Sequence, residues 1–290
     1  MYNDRFGDKW FKVGLHTHTM LSDGQATPER MADIYKNAGF DAVAITDHWV
    51  YHAEDEINGL KIISGCEYNL GGRDTIEGVM HIVGIGMTEK PELNCETASR
   101  QQTIDEINRC GGMAVLAHPA WSLNTKEDVK SLHGFSMFEI YNTVSDVHQS
   151  FRPYSGYLAD VLANDGITFP LTATDDVHYY DGTDEAKSFI CVKAKSGSVR
   201  DILDSIKRGE FYASQGPELY VRAENGTVSA DCSECSFISF VTNSAFEGDR
   251  VFRGEDLVHA EYKCREYEKF VRVEIRDKDG KYAWSNFIKL

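Results

Sequence analysis

Strand-like and helix-like segments alternate along the chain as far as about Gly209. Apolar runs at residues 41–46, 113–117 and 167–174 are typical of buried strands, whereas residues 154–164 and 199–208 have helical periodicity. Another helix has its start signal in Thr27 and Pro28 and its stop signal at Gly39. Alternation of this kind predicts a parallel, barrel-like α/β domain.

The pattern changes after Gly209. Residues 218–223, 236–242, 257–262 and 270–276 alternate with a period of two, and turn residues such as Asn225 and Gly226 separate them. Period-two alternation is typical of antiparallel strands with one covered face. We therefore predict a first domain at residues 1–213 and a small antiparallel, sandwich-like β domain at residues 214–290.

Side chains of the types that bind metals stand on or after the predicted strands. His16 and His18 are two residues apart on the first strand, so both imidazoles point to the same side. Asp23 precedes Gly24, where a turn can bring the carboxylate back toward them. The other residues of these types are His48, Glu67, His81, His118, Asp176 and His178. Since strand ends meet at one face of such a barrel, the sequence predicts a metal centre there.

Most of these residues belong to five short motifs. The motifs are His16-Thr17-His18, Thr46-Asp47-His48, Gly65-Cys66-Glu67, His118-Pro119 and Asp176-Val177-His178. Together with Asp23 and His81 they resemble the PHP (polymerase and histidinol phosphatase) family of metal-dependent phosphoesterases, over about residues 10–213. The resemblance implies an α/β fold with a distorted (β/α)7, TIM-like barrel. The stretches 209–217 and 279–286 resemble the carbaryl hydrolase branch, in which a β module follows the barrel.

The resemblance also implies two or three divalent transition-metal ions and their ligands. It assigns His16, His18, Glu67 and Asp176 to the first ion, Glu67 as a bridge with His81 and His118 to the second, and Asp23, His48 and His178 to the third. Imidazoles with a few carboxylates suit zinc, iron or manganese, whereas calcium and magnesium prefer oxygen ligands.

Such a centre implies a hydrolase. Catalysis would involve Glu67, Asp176 and His178 through a metal-bridging hydroxide that attacks in line. Three divalent ions and three carboxylates leave about three positive charges, so the pocket should attract a small phosphomonoester such as a nucleotide or a sugar phosphate. Two alternatives stay open: an amide or carbamate hydrolase with the same metal centre, and a structural domain without turnover.

Four further residues are candidates for contact with the substrate. Arg73 and Arg152 lie in loops after strands, where they could bind phosphate. Glu139 and Asn142 close a strand on the same face, and they could either contact the substrate or orient a ligand histidine. Asp175 neighbours a proposed ligand but points the other way, so we expect a structural role for it.

Composition limits the partners. The formal charge of −16 and the lack of a basic cluster disfavour long nucleic acid. No apolar run approaches the roughly 18 residues of a membrane span, and the N-terminus lacks a signal-peptide core, so we expect a cytoplasmic protein without membrane contact. Seven cysteines without framework spacing predict reduced thiols, and Cys232 and Cys235 lack the second pair of a zinc ribbon. The oligomeric state stays open.

Overall fold

The computed structural model describes residues 1–72 and 78–290. The helices are α1 (Pro28–Asn37), α2 (Arg100–Arg109), α3 (Pro119–Ser122), α4 (Lys126–Lys130), α5 (Gly156–Asn164) and α6 (Val199–Lys207), with a π-helical turn at Ser145–Gln149. The strands before α5 are β1 (Tyr2–Asn3), β2 (Lys9–Gly14), β3 (Ala42–Ala44), β4 (Glu56–Ile57), β5 (Leu60–Ile63), β6 (Gly65–Leu70), β7 (Met80–Ile85), β8 (Met113–Ala117) and β9 (Phe135–Asn142). The later strands are β10 (Leu171–Thr174), β11 (Phe189–Lys193), β12 (Phe211–Ser214), β13 (Leu219–Glu224), β14 (Thr227–Thr242), β15 (Val251–Lys263), β16 (Phe270–Arg276), β17 (Tyr282–Trp284) and β18 (Ile288–Lys289).

The helix α1 begins and ends where the local sequence predicts. Thr27 Oγ1 accepts a hydrogen bond from the Arg30 amide at 3.3 Å, and Pro28 occupies the first turn. Gly39 follows the helix with a φ of +79°, a conformation that glycine adopts at little cost. The buried face of the helix packs against β5.

The smaller of the two sheets in the described residues has five strands. Its order is β10-β9-β8-β7-β6, in which β10, β9 and β8 are parallel. However, β7 runs antiparallel to both β6 and β8. The connection from β6 to β7 is too short for a crossover helix, which explains one of these antiparallel pairs. The fold is α/β with mixed sheets, and the parallel prediction holds only for part of it.

Single bridges join this sheet to the larger one. Thr17, after β2, pairs with Val177, after β10, and His48, after β3, pairs with Glu67 in β6. Backbone hydrogen bonds reinforce the first contact, since the Asp176 amide donates to the His16 carbonyl at 3.0 Å. The ends of β2, β3, β6 and β10 therefore lie side by side. A closed seven-stranded barrel stays a prediction, because the described strands form two mixed sheets joined by these bridges.

The third strand of the sequence prediction is in fact two strands. Residues 61–67 were expected to form one strand, whereas β5 and β6 belong to different sheets. Gly65 marks the break, because a Cβ there would lie 2.5 Å from the Ile45 carbonyl oxygen and 2.9 Å from Thr46 Cγ2. The close passage of β6 over the end of β3 brings Glu67 to the bridge with His48.

The predicted C-terminal strands are confirmed as β13 to β16, which pair antiparallel. They continue the larger sheet, because β12 pairs with β17 and also with β11, which lies next to β2. One hydrophobic cluster includes Met31 and Tyr35 of α1 together with Ile238 and Phe240 of β14. The division at residue 213 stays a prediction, and both sheet and core cross it. Within residues 1–72 and 78–290, no helix has the length and apolar character needed to cross a membrane.

Candidate metal centre

Four buried side chains meet where β2, β6 and β10 come together: His16, His18, Glu67 and Asp176. His16 Nε2 lies 3.2 Å from His18 Nε2, and Glu67 Oε2 lies 3.3 Å from His16 Nε2 and 3.0 Å from His18 Nε2. Asp176 Oδ1 lies 3.2 Å from His16 Nε2 and 3.1 Å from His18 Nε2. Five of the six distances between these four ligand atoms are therefore 3.0 to 3.3 Å.

These distances and the unpaired atoms fit a metal ion. A tetrahedron with bonds of 2.0–2.1 Å, as zinc makes with nitrogen and carboxylate oxygen, has edges of about 3.3 Å. Asp176 Oδ1 and His48 Nδ1 are buried without a hydrogen-bond partner. A buried polar atom without a partner is costly, and a cation between the four ligand atoms would satisfy Asp176 Oδ1.

The pKa shifts of these side chains also favour a cation shared between them. Burial alone would lower the pKa of His16 and His18, but the carboxylates of Asp176 and Glu67 outweigh it and raise both pKa values well above normal. Burial would likewise raise the pKa of Glu67, but the imidazoles around it, that of His16 foremost, hold it well below normal. Burial would also raise the pKa of Asp176, but the imidazoles of His16 and His18 lower it. Positive charge between the two carboxylates, from protons or from a metal ion, therefore stabilises their ionised forms.

Glu67 faces two groups of histidines at once. Its Oε2 atom faces His16 and His18, and it also lies 3.2 Å from His48 Nδ1. Its Oε1 atom lies 2.9 Å from His81 Nδ1 and 3.3 Å from His118 Nε2. The two oxygens therefore point to different ligand sets, as a bridging carboxylate requires.

A third group opens to solvent. Asp23 Oδ2 lies 3.6 Å from His48 Nε2 and 3.4 Å from His178 Nε2, and the Asp23 side chain is 51% exposed. His18 Nδ1 approaches the same carboxylate at 3.4 Å from Oδ1. The structure thus brings together all nine residues that the sequence proposed as ligands.

Glu139 is buried directly behind the first group. Its Oε1 atom accepts hydrogen bonds from His16 Nδ1 at 2.8 Å and Thr174 Oγ1 at 2.9 Å, and its Oε2 atom accepts one from the His118 amide at 2.8 Å. A proton on His16 Nδ1 leaves the Nε2 lone pair directed at the other ligands. Of the two roles left open for Glu139, the geometry favours orientation of a ligand histidine.

Two of the proposed ligands have a strained backbone. His118 has a φ of 28° and Asp176 has a φ of 53°, values that residues with a side chain rarely adopt. Such strain persists only where the surroundings enforce it, and it concentrates at functional sites. The two ligands that follow β8 and β10 therefore have backbone conformations that their surroundings must enforce.

Comparisons with known proteins agree on the family. The model of the PHP domain family matches residues 14–132. An uncharacterised protein of Methanocaldococcus jannaschii is 30% identical over 120 residues, which cover 37% of this chain and 67% of that protein. The chain belongs to the PHP domain family. The finer assignment to the carbaryl hydrolase branch stays a prediction.

Solved structures share this fold. A two-domain protein of Bacteroides vulgatus that contains a predicted PHP-like metal-dependent phosphoesterase superposes with a TM-score of 0.57 at 15% identity, over 100% of this chain and 97% of that one. The lesion-specific endonuclease Q of Pyrococcus furiosus gives a TM-score of 0.50 at 18% identity, over 69% of this chain and 56% of the endonuclease. At identities this low, the likeness shows the fold alone.

A cleft of about 360 Å³ opens over the groups of proposed ligands. Asn69, Trp121 and Gln149 line it, and the sequence analysis missed all three. For Trp121 a signal existed, because it lies on the short helix α3 only three residues after the proposed ligand His118, which precedes that helix. Asn69 and Gln149 carry no comparable signal.

The residues predicted to contact the substrate are less favourably placed relative to the cleft than the proposed ligands are. Arg152 is exposed and is not among the described residues that line the cleft. Arg73 lies outside the described residues. Asn142 is fully buried, and its amide donates to Glu139 Oε2 and to Asp176 Oδ2, both at 3.2 Å. Asn142 therefore contacts two carboxylates of the centre and has no surface open to the cleft.

Asp175 points away from the centre, as the sequence predicts. It accepts hydrogen bonds from Tyr35 Oη at 2.7 Å and from the amides of Lys187 and Ser188 at 2.9 and 2.7 Å. Burial raises its pKa to about 6. These contacts give it a structural position.

Asp47 and His52 form another buried pair, and Asp47 supports the loop after β2 that carries proposed ligands. His52 Nε2 lies 2.8 Å from Asp47 Oδ2, which also accepts the Thr19 hydroxyl at 2.7 Å. Both His52 and Asp47 are buried. No motif in the sequence pointed to His52.

Proposed function

We propose that this PHP-domain protein is a metal-dependent hydrolase that cleaves small phosphomonoesters. The observation that carries the proposal is the convergence of His16, His18, Glu67 and Asp176, whose ligand atoms lie 3.0 to 3.3 Å apart in a buried site. Membership of the PHP domain family supports the same conclusion.

The residues would hold two or three divalent ions in the sets that the sequence proposed, with Glu67 as the bridge. Ions bound there supply Lewis-acid activation of water and stabilise the oxygens of the transferring phosphoryl group. The carboxylates of Glu67 and Asp176 would hold the cations, and the hydrogen bond from His16 Nδ1 to Glu139 fixes the ring of His16. His178 Nδ1 donates to the Asp176 carbonyl at 2.7 Å, which leaves its Nε2 atom toward Asp23 at the open side. We assign the catalytic roles to Glu67, Asp176 and His178.

A small substrate suits the charge of the chain better than a polymer does. The endonuclease Q named above acts on nucleic acid, but this chain has a net charge of −16, which would repel a long polyanion. The local positive charge that ions would bring into the cleft acts only at short range, since salt screens charges over about 8 Å at physiological ionic strength. A single phosphoryl group can use this charge fully.

Metal analysis followed by a substrate panel tests the proposal. After expression with added manganese, zinc and iron, elemental analysis should find at least two ions per chain. Steady-state assays should then show faster turnover of phosphomonoesters than of phosphodiesters, oligonucleotides, amides or carbamates. If the folded protein contains no bound ions after this expression with added metals, the proposal is wrong. Faster carbamate turnover would favour the amide or carbamate hydrolase, and bound metal without any turnover would favour a structural domain.

A further inference from the structure

Two of the seven cysteines meet on β14. Cys232 Sγ and Cys235 Sγ lie 3.6 Å apart and share a hydrogen bond. Cys235 is 3% exposed, whereas Cys232 is half-buried, so the pair lies at the edge of the core with one residue partly open to solvent. The proposed function makes no use of either thiol.

Regular strand geometry would keep these cysteines apart. Residues three positions apart on a strand are separated by roughly 10 Å and point to opposite faces of the sheet. Here β14 pairs with β15 at Asp231 and again four residues later at Cys235, whereas the partners on β15 are only two residues apart. Two residues of β14 are therefore extra, and a bulge of this kind shortens and bends the strand. The bulge brings the two thiols together.

The bulge also lies where β14 changes its neighbours. Cys232 pairs with Leu219 of β13, and from Phe237 onward β14 pairs with β16 instead. Cys232 therefore lies on the β13 side of this corner, and Cys235 lies only two residues before the part that pairs with β16. A covalent bond between the two residues would fix the corner.

We infer that Cys232 and Cys235 form a reversible disulfide under oxidising conditions, and that this bond locks the corner of β14. A disulfide needs about 2.05 Å between its sulfur atoms, so the two thiols must approach each other by about 1.5 Å. The reduced thiols that the sequence predicts are the form found under reducing conditions. The inference goes beyond the proposed function and does not depend on it.

A small disulfide such as glutathione disulfide is the oxidant. The contact with Cys232 lowers the pKa of Cys235, and either thiol can donate the shared hydrogen bond, so one proton leaves the pair readily. The Cys232 thiolate attacks one sulfur of glutathione disulfide, whose S–S bond breaks and releases one glutathione thiolate. The Cys235 thiolate then attacks Cys232 Sγ, and the second glutathione leaves as the mixed disulfide breaks. Two electrons and two protons pass from the protein thiols to the two glutathione molecules.

Zinc is the other partner that two thiolates at this distance could bind. A tetrahedral zinc site needs four ligands, and its thiolate sulfurs lie about 3.8 Å apart. Within residues 1–72 and 78–290, no group of three or more ligand atoms that lie within 4.8 Å of one another includes either cysteine. The described residues therefore favour the disulfide over zinc, and the experiments below distinguish the two.

Cleavage of the chain after Glu234 tests for the disulfide, because it separates the two cysteines. The reduced full chain is equilibrated with excess glutathione disulfide, quenched with acid, alkylated and digested with a glutamyl endopeptidase. We expect the fragments on either side of Glu234 to stay joined, to lack two hydrogen atoms and to separate when a reductant is added. The exposed Cys95 should carry glutathione instead, which shows that the oxidant has acted. Fragments that separate without reductant, with both cysteines alkylated or with glutathione left on Cys232, would overturn the inference.

Serine variants assign the bond and its effect. Cys232→Ser and Cys235→Ser should each abolish the link, whereas Cys95→Ser, the matched control at an exposed cysteine, should retain it. Oxidation should raise Tm by about 3 °C in the wild type and in Cys95→Ser, because closing even a short loop restricts the unfolded chain. Tm should not rise in the other two variants. If oxidation leaves the Tm of the wild type unchanged, the bond does not lock the corner.

Metal content and turnover separate this inference from the proposed function. Neither cysteine is a proposed ligand of the metal centre, so oxidation and the serine variants should leave bound metal and turnover unchanged. A stoichiometric loss of zinc in Cys232→Ser would assign the thiols to a metal site and contradict the disulfide. If the disulfide forms but no phosphomonoester is hydrolysed, the proposed function is wrong and the disulfide stands. If phosphomonoesters are hydrolysed and the fragments separate, the disulfide is wrong and the proposed function stands.

Discussion

At the scale of single residues, the centre depends most on Glu67. Its carboxylate is buried, and its two oxygens face five imidazoles at 2.9 to 3.3 Å. Replacing a group with so many partners should disturb more than one of these sets of histidines. Asp175 offers a contrast, because it is equally buried but serves Tyr35 and two backbone amides.

Glu67→Gln should therefore lose metal and activity together. The amide replaces one accepting oxygen by a nitrogen that donates, so one of the two facing ligand sets loses its anion. Asp175→Asn should keep the ions but lower the free energy of unfolding by about 1–3 kcal/mol, because one amide hydrogen is left facing a donor. Elemental analysis and denaturant titration of both variants measure these effects. Equal loss of metal in the two variants would show that the carboxylates are wrongly assigned.

Glu139→Gln tests whether the Glu139 carboxylate orients the ligand His16. If Glu139 orients His16, the variant should bind metal about 10–100-fold more weakly, because the hydrogen bond that fixes the imidazole is weakened. KM for substrate, measured at saturating metal, should change little. Competition with a chelator gives the metal affinity. An unchanged metal affinity with a raised KM would instead support direct contact between Glu139 and substrate.

At the scale of elements, the contact between β3 and β6 positions Glu67, the proposed bridging ligand. Gly65 lies against the backbone at Ile45, and the chain reaches Glu67 two residues later. Gly65→Ala should push β6 away from β3, which costs stability by about 1–3 kcal/mol and weakens metal binding at the same time. Gly248→Ala is the control, since a Cβ there meets no atom within 4 Å. If Gly65→Ala bound metal as tightly as Gly248→Ala, the contact would not position the ligand.

The residue types of the centre could be predicted because they stand where apolar runs end, a property that the sequence displays directly. The pairing of strands could not be predicted in the same way. Periodicity shows which face of a strand is buried but not which strand lies beside it, so the break at Gly65 and the antiparallel β7 went unseen. Glu139 faces His16 only because β9 and β10 pair in one particular register. The position of Arg152 depended on a loop path that no sequence pattern encodes.

At the scale of the whole molecule, the C-terminal strands are tied to the preceding part of the chain by more than a shared sheet. Arg272 on β16 is almost fully buried, and its guanidinium donates to Asp160 on α5 through Nε at 2.7 Å and Nη2 at 2.9 Å. It also donates to Glu274 Oε2 at 2.9 Å and to the Tyr154 hydroxyl at 3.1 Å. A planar guanidinium with this many partners fixes α5 against β16.

Arg272→Ala should therefore destabilise the whole chain. Its removal leaves the carboxylates of Asp160 and Glu274 without their shared cation. For an ion pair with one partner fully buried, this should lower the free energy of unfolding by about 3 kcal/mol. Arg208→Ala is the control, because its ion pair with Glu210 lies at the surface and should leave stability nearly unchanged. Because the core and the larger sheet cross residue 213, far-UV circular dichroism and tryptophan fluorescence should report one common transition in both variants. Two separate transitions, with only one of them shifted by Arg272→Ala, would show instead that residues 214–290 fold as an independent domain.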